Sequence, residues 1–312
     1  MDFGKVDLFP VNGNGPEDVL VDGEGTVYTG LEDGRVVKIG DLGARGTRIE
    51  VIAETGGRPL GIEFFGDGEL LVCDGERGLL VVSPDDGTVS TLVDRIAGVP
   101  MLVCNNAAVA ADGTVYFSDS STRFPLAKWR DDLIEQTATG RLFRRNPDGT
   151  VDRLADGLRF ANGVALAHDE SFAVVAETAA CELRRVWLSG ERAGSVDVFL
   201  GGLRGHPDNL STGSDGLIWV AEASPRVGAL ELVRKLPSPV RAGVRALPAW
   251  LQPKPGPACG VLGVSADSEI VHDLSGPIDG IRMPTGIRES AGSLYLGSLE
   301  GQAIARTPVP GQ

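Results

Sequence analysis

Phe160-Ala161-Asn162-Gly163-Val164 begins a phrase that recurs along the chain: a polar or small residue, an apolar run, a turn rich in Asp and Gly, then a second apolar run. Six of these second runs align: Gly25–Tyr28, Glu69–Val72, Gly113–Tyr116, Ser171–Val174, Gly216–Trp219 and Ser293–Leu296. Self-similarity with a period of roughly 40–50 residues is the signature of a propeller or solenoid. Each repeat divides into four short apolar segments, except the sixth, which reads as one strand short, and residues 5–13 form a strand with no neighbour to pair with. A strand from one end that completes the last blade closes the ring and removes its open edges. The expectation is therefore all-β: one six-bladed β-propeller over residues 1–312, closed by its N-terminal strand.

Two insertions interrupt the repeats, at about 120–139 and 225–257, each after the second strand of its blade. Both should lie over the same face as a short helical lid, with Trp129, Arg234, Lys235, Arg241 and Trp250 above a cavity.

Composition narrows the function. The 312 residues carry a formal net charge of −14, with 42% hydrophobic and 23% charged residues. Nucleic acid and anionic membrane surfaces call for clustered Lys and Arg, so neither is expected as a partner. The N-terminal Met1-Asp2-Phe3-Gly4 lacks a basic and apolar leader, and no apolar run is long enough to span a bilayer. Cys73, Cys104, Cys181 and Cys259 are widely spaced and read as buried, reduced thiols, which suits a cytoplasmic protein.

The six phrases also share a register. Eleven residues before Tyr28, Leu71, Tyr116 and Ala173 stand Glu17, Leu60, Asn105 and Asn162; ten before Trp219 and Tyr295 stand Asn209 and Thr285. In a propeller these starts of innermost strands converge on one mouth of the central channel. With Asp208 beside Asn209, the mouth gathers two carboxylates and three amides. This hard-oxygen set suits Ca²⁺, which takes about 6–8 oxygens, and the lack of His and Cys disfavours zinc and copper. Leu60 and Thr285 leave one side less polar, with room for an apolar small-molecule substrate.

Together these motifs resemble the strictosidine synthase-like branch of the six-bladed propeller superfamily that includes paraoxonases, gluconolactonases and diisopropyl fluorophosphatase. Phe160–Gly163 and Asp208-Asn209-Leu210 are similar to the paraoxonase calcium segments. Val115–Ser120 and Glu289–Gly297 are similar to strictosidine synthase segments, and Trp250–Pro255 to plant-like and bacterial members. The resemblance implies that Glu17, Asn105, Asn162, Asp208 and Asn209 are catalytic-calcium ligands, and that Glu289 matches the base of the plant synthase. It also implies departures. Leu60 and a residue near Gly75 stand where paraoxonases carry a histidine dyad, and His168, His206 and His272 fall on neither position. The plant synthase, conversely, lacks the metal ligands kept here.

Three functions follow as expectations. The first is calcium-dependent hydrolysis of an apolar lactone or aryl ester, with Asp208 activating water or acting as nucleophile and Glu289 as second candidate. The second is strictosidine synthase-type Pictet–Spengler condensation using Glu289. The third is a non-catalytic ligand-binding propeller.

Overall fold

The computed structural model describes residues 1–40, 42, 47–256 and 259–311. Pro257, the last residue of the second expected insertion, lies outside the described residues. Six four-stranded antiparallel sheets are arranged as blades. The innermost strands are Leu20–Val21, Pro59–Phe65, Cys104–Val109, Ala161–Leu166, Gly205–Thr212 and Pro284–Ser290, for blades 1 to 6. Asp7–Pro10 pairs antiparallel with Ala303–Pro308 as the outermost strand of blade 6, with Asp7 opposite Arg306 and Pro10 opposite Ala303. The ring is thus closed by the N-terminal strand, as the orphan segment required. Arg306 secures the closure, bonding Asp7 at 3.2 Å and lying 5.0 Å from the Phe9 ring centre.

Period-two alternation explains the packing, because both faces of each blade are buried. In blade 4, Phe172, Val174 and Ala176 join a core shared with Leu210, Val220 and Leu262 of blade 5. The intervening Ala173 and Val175 join a core with Tyr116 and Leu142 of blade 3. Tyr295 and Ile304 of blade 6 pack with Val27, Val37 and Ile39 of blade 1. The hairpin turns use Asp to hold the chain: Asp112, Asp148 and Asp169 accept the backbone N–H two residues on, at 2.8, 2.9 and 3.0 Å. A short hairpin, Arg95–Ile96 with Val99–Pro100, joins blades 2 and 3 and was not expected from the repeats. Cys73, Cys104 and Cys181 are buried and free; the Cys259 side chain lies outside those described. Among the described residues no helix is long and apolar enough to cross a membrane.

At the channel mouth the inner strands share an irregularity. Between Pro59 and Ile62, Cys104 and Ala107, Ala161 and Val164, Pro207 and Leu210, and Pro284 and Ile287, three steps on the inner strand face two on its neighbour. One extra residue per strand is a β-bulge, which bends the strand and re-aims a side chain. The bulged pairs are Leu60-Gly61, Asn105-Asn106, Asn162-Gly163, Asp208-Asn209 and Thr285-Gly286. Glu17-Asp18 take the same place ahead of the short Leu20–Val21 strand. This corrects the register read by counting: Asp208, not Asn209, is the equivalent of Asn105 and Asn162. The inner hairpins of blades 3 and 5 are equal in length, with Val109 opposite Val115 and Thr212 opposite Ile218, so the eleven-residue count that gives Asn105 gives Asp208 in blade 5. Gly163 is required where inner strands touch, since a Cβ there would lie 2.3 Å from the Leu210 nitrogen and 2.5 Å from the Asp208 carbonyl oxygen.

Candidate metal centre and substrate cavity

Asn105, Asn162 and Asp208 at first bulge positions, Glu17 at the equivalent place in blade 1, and Asn209, second in the blade 5 bulge, gather oxygen atoms at one buried site. Asn105 Nδ2 donates to Ser120 Oγ at 2.9 Å, Asn162 Nδ2 to Thr178 Oγ1 at 3.1 Å, and Asn209 Nδ2 to Glu17 Oε2 at 3.1 Å. Each amide is tied by its nitrogen, which leaves its oxygen free. Asn105 Oδ1, Asn162 Oδ1, Asn209 Oδ1 and Asp208 Oδ1 are all buried without a partner. Four such atoms together would cost about 1–3 kcal/mol each if nothing met them. Among the described residues no group of three or more His, Cys, Asp or Glu is placed to hold a metal. A donor set of two carboxylates and three amide oxygens fits a hard cation such as Ca²⁺.

The charges carry the same strain. Burial, then the nearby Asp208 carboxylate, pushes the Glu17 carboxyl up to about 8, against the opposing pull of Arg58 and Asn209. Burial pushes Asp208 up to about 7 despite the Asn162 amide beside it. Both would hold protons near neutrality without a compensating positive charge.

A different layer lies directly behind. Asp18 accepts from the Val19 N–H at 2.9 Å, the Ile62 N–H at 3.2 Å and Asn106 Nδ2 at 3.2 Å. Asn106 Oδ1 accepts the Val164 N–H at 2.8 Å. This saturated chain staples blades 1 to 4 and holds the bulges in place. Sequence reading had given neither residue a role.

Above the ring is a cavity of about 470 Å³ that includes Glu17, Asn105, Asn162 and Asp208 in its wall. Asn209, fully buried, is not part of that wall and meets the ring through Glu17. Leu60 and Thr285 line the cavity as expected. The Thr285 hydroxyl donates to the Glu17 carbonyl at 2.7 Å, so its polar atom is occupied.

The insertions do form a cap. The first contains helix α1 (Trp129–Glu135); the second contains α2 (Gly228–Arg234) and α3 (Ser238–Arg245). Trp129, Leu133, Ile134 and Leu230 face the cavity, and Trp129 and Leu133 pack with Phe160. Phe160 has φ of +64°, a left-handed conformation rare for an aromatic residue. Arg234, Arg241 and Arg245 brace the cap, while Arg130 and Lys254 line the cavity: Arg241 and Arg245 bond the buried Glu135 at 3.3 and 2.9 Å, and Arg234 Nε donates to the Leu133 carbonyl at 2.8 Å.

Two expected site residues lie elsewhere. Trp250 is 70% exposed and borders a second pocket that adjoins the main cavity and shares Arg130, Lys254, Pro255, Met283 and Glu300 with it, though Trp250 itself does not line the main cavity. Pro253, Lys254 and Pro255, shortly after it, line the main cavity. Glu289 is not in the cavity wall. It lies at the far end of the blade 6 inner strand, four residues and roughly 13 Å from Thr285. Its Oε2 accepts the Ser214 N–H at 2.9 Å and hydroxyl at 2.8 Å, and its Oε1 accepts the Gly292 N–H at 3.0 Å. These donors hold its pKa below the ordinary value against the opposing effect of burial. Glu289 is a turn-bonding carboxylate that does not line the cavity, so it is not placed to act as a base there.

Two cavity residues were missed. Arg58 is 8% exposed; its Nη1 donates to the Gly15 carbonyl at 3.0 Å and its Nη2 has no partner. Its position two residues before Leu60 was the available signal. His206 also lines the cavity, entering from blade 5 two residues before Asp208. Where a histidine pair was sought, the chain has Leu60 and Gly75, and a Cβ at Gly75 would meet the Leu126 side chain at 2.6 Å.

Sequence and structure comparisons agree with this architecture. The strictosidine synthase family profile matches residues 105–191, and the profile for the N-terminal region of strictosidine synthase-like proteins matches residues 5–39. The chain is 33% identical to strictosidine synthase-like protein 6 of Arabidopsis thaliana over 94% of its own length and 78% of that protein's. It is 33% identical to the adipocyte plasma membrane-associated protein of Rattus norvegicus over 96% of its length and 84% of that protein's. The fold is similar to a gluconolactonase from Xanthomonas campestris, with a TM-score of 0.70 and 18% identity over 98% of this chain and 89% of that one. It is also similar to regucalcin, a calcium-binding protein of Agrobacterium tumefaciens, with a TM-score of 0.66 and 14% identity over 98% and 94% of the two chains. By its blades, its closure and its relatives, the chain belongs to the strictosidine synthase-like family of six-bladed propellers.

Proposed function

We propose that this protein is a calcium-dependent hydrolase of lactones or aryl esters. The observation that carries the reading is the ring of four buried, unpartnered oxygens from Asn105, Asn162, Asp208 and Asn209, closed by Glu17. Glu17, Asn105, Asn162, Asp208 and Asn209 would hold the ion, which when bound supplies Lewis-acid polarisation of a carbonyl oxygen. The gluconolactonase and calcium-binding names carried by proteins of the same fold support the choice of chemistry.

The chain's own groups account for the remaining steps. Asp208 faces both the ring and the cavity, and its carboxylate takes a proton from the attacking water and returns it to the departing alkoxide. Atoms balance as ester plus water giving acid plus alcohol. Arg58 offers an unpartnered N–H donor at the cavity wall for charge that develops on the substrate oxygen. Trp129, Leu133 and Leu230 hold the apolar body of the substrate and keep bulk water out.

Hydrolysis of simple lactones and aryl acetates, measured with and without chelator, tests this. Turnover lost on chelation and in Asn162→Ala is the expected result. Turnover indifferent to both would end the proposal, and a bound metal without turnover across a broad ester panel would make the protein a binding propeller.

A further inference from the structure

We infer that His206 is a specificity-determining residue of this cavity, accepting a hydrogen bond from a hydroxyl or amide N–H carried by the ligand close to its carbonyl group. The side chain is 5% exposed and lines the cavity. Its Nδ1 lies 2.8 Å from the Thr178 carbonyl oxygen and 3.3 Å from Cys181 Sγ. A carbonyl can only accept, so Nδ1 carries the proton and Nε2 presents a bare lone pair. That Nε2 is buried with no partner.

The surroundings make a polar notch in an apolar wall. Ser224, opposite His206 on the neighbouring strand, lines the same cavity, while Phe160, Leu230 and Ala223 supply apolar surface around it. His206 and Asp208 lie on one strand, two residues apart and so roughly 7 Å along it. A ligand whose carbonyl meets Asp208 therefore brings an adjacent substituent toward Nε2. A site with an unpaired acceptor rejects the ligand that lacks the donor, since that ligand leaves the acceptor desolvated. The substrate class becomes hydroxy- or amido-substituted lactones and esters. This naming of the reacting group rests on the proposed hydrolase function; the hydrogen-bond assignment rests on His206 alone.

The test uses the full chain with calcium and two unreactive ketones, acetophenone and α-hydroxyacetophenone, titrated by calorimetry. The wild-type chain is expected to bind the hydroxy member about 10-fold more tightly, the effect of one hydrogen bond. His206→Phe should abolish the preference, read as the ratio of the two affinities. His206→Gln, whose amide oxygen can accept, should restore part of it. Equal binding of the pair by the wild-type chain, binding of neither, or a preference unchanged in His206→Phe would overturn the inference. The ratio of kcat/KM for phenyl hydroxyacetate over phenyl acetate separates the two proposals. A binding preference without turnover keeps the role of His206 and ends the hydrolase, whereas turnover without preference does the reverse.

Discussion

Asp208 and Glu289 lie at opposite ends of the inner strands of neighbouring blades and have similar surface exposure, at 8% and 7%. Their fates differ. Asp208 leaves Oδ1 unpartnered and its pKa is driven up to about 7; Glu289 receives three donors and its pKa falls below the usual value. Similar surface exposure does not by itself mark a functional carboxylate. Asp208 lies the deeper of the two, which drives its pKa up, and the groups also differ in whether the surrounding chain satisfies them. At the far end the turns at Ser214 and Gly292 complete the coordination of Glu289 from within. At the mouth the bulges leave the oxygens of Asn105, Asn162, Asn209 and Asp208 without partners while the amide nitrogens are tied to Ser120, Thr178 and Glu17.

The sharpest way to break this comparison is to substitute both carboxylates conservatively. Asp208→Asn should lower kcat for aryl ester hydrolysis by about 10²–10⁴ with folding intact, as expected for a lost general base. Glu289→Gln should leave kcat/KM within about 2-fold while lowering unfolding stability in urea by about 1–2 kcal/mol, the effect of weakened buried hydrogen bonds. A large kcat effect at Glu289 with unchanged stability would reverse the assignment of the two ends. Next, Glu17→Gln should weaken calcium binding by about 10–100-fold in calorimetry, the scale seen when a supporting or ligating group is removed. Calcium should then raise the melting temperature less at the same concentration.

A smaller effect follows from proton linkage. In the metal-free protein Glu17 moves from an ordinary 4.5 to about 8, Asp208 from 3.8 to about 7, and Asp18, chiefly through burial, from 3.8 to about 8. For an acid whose folded pKa is raised, the folded state keeps a proton that the unfolded state has lost. Stability is then highest below pH 4 for these groups and declines as pH rises toward 8. The melting temperature of the metal-free chain should therefore fall between pH 5 and 8 in a thermal scan, and calcium should reduce that slope. A flat profile would mean the ring is compensated without an ion. The smallest effect is expected at Trp250→Ala, which should leave turnover and stability unchanged because the indole is exposed outside the cavity.

Much of this was legible in the residues. The repeated phrase predicted six blades, the unpaired N-terminal segment predicted the closure, and Glu17, Asn105, Asn162 and Asp208 were correctly grouped at one mouth. These succeeded because strand periodicity and turn chemistry are local and each blade states them independently. Glu289, a second catalytic candidate with a structural role as its alternative, has partners that were not foreseen: its donors, Ser214 and Gly292, come from another blade and from a turn, and no local pattern announces them. Arg58 and His206 were missed because the search followed one register position, and a bulge admits neighbouring residues to the same cavity.

The sequence by itself determined the ring and its oxygen chemistry, since alternation buries both faces of every blade and brings the inner strand starts to one axis. Only the tertiary structure decided which oxygens stay unpaired. That depends on five bulges, on Ser120 and Thr178 taking up the amide nitrogens, and on Asp18 and Asn106 stapling the layer behind. Hydrogen-bond satisfaction is a property of groups that meet across blades, and the residue types alone carry no record of it.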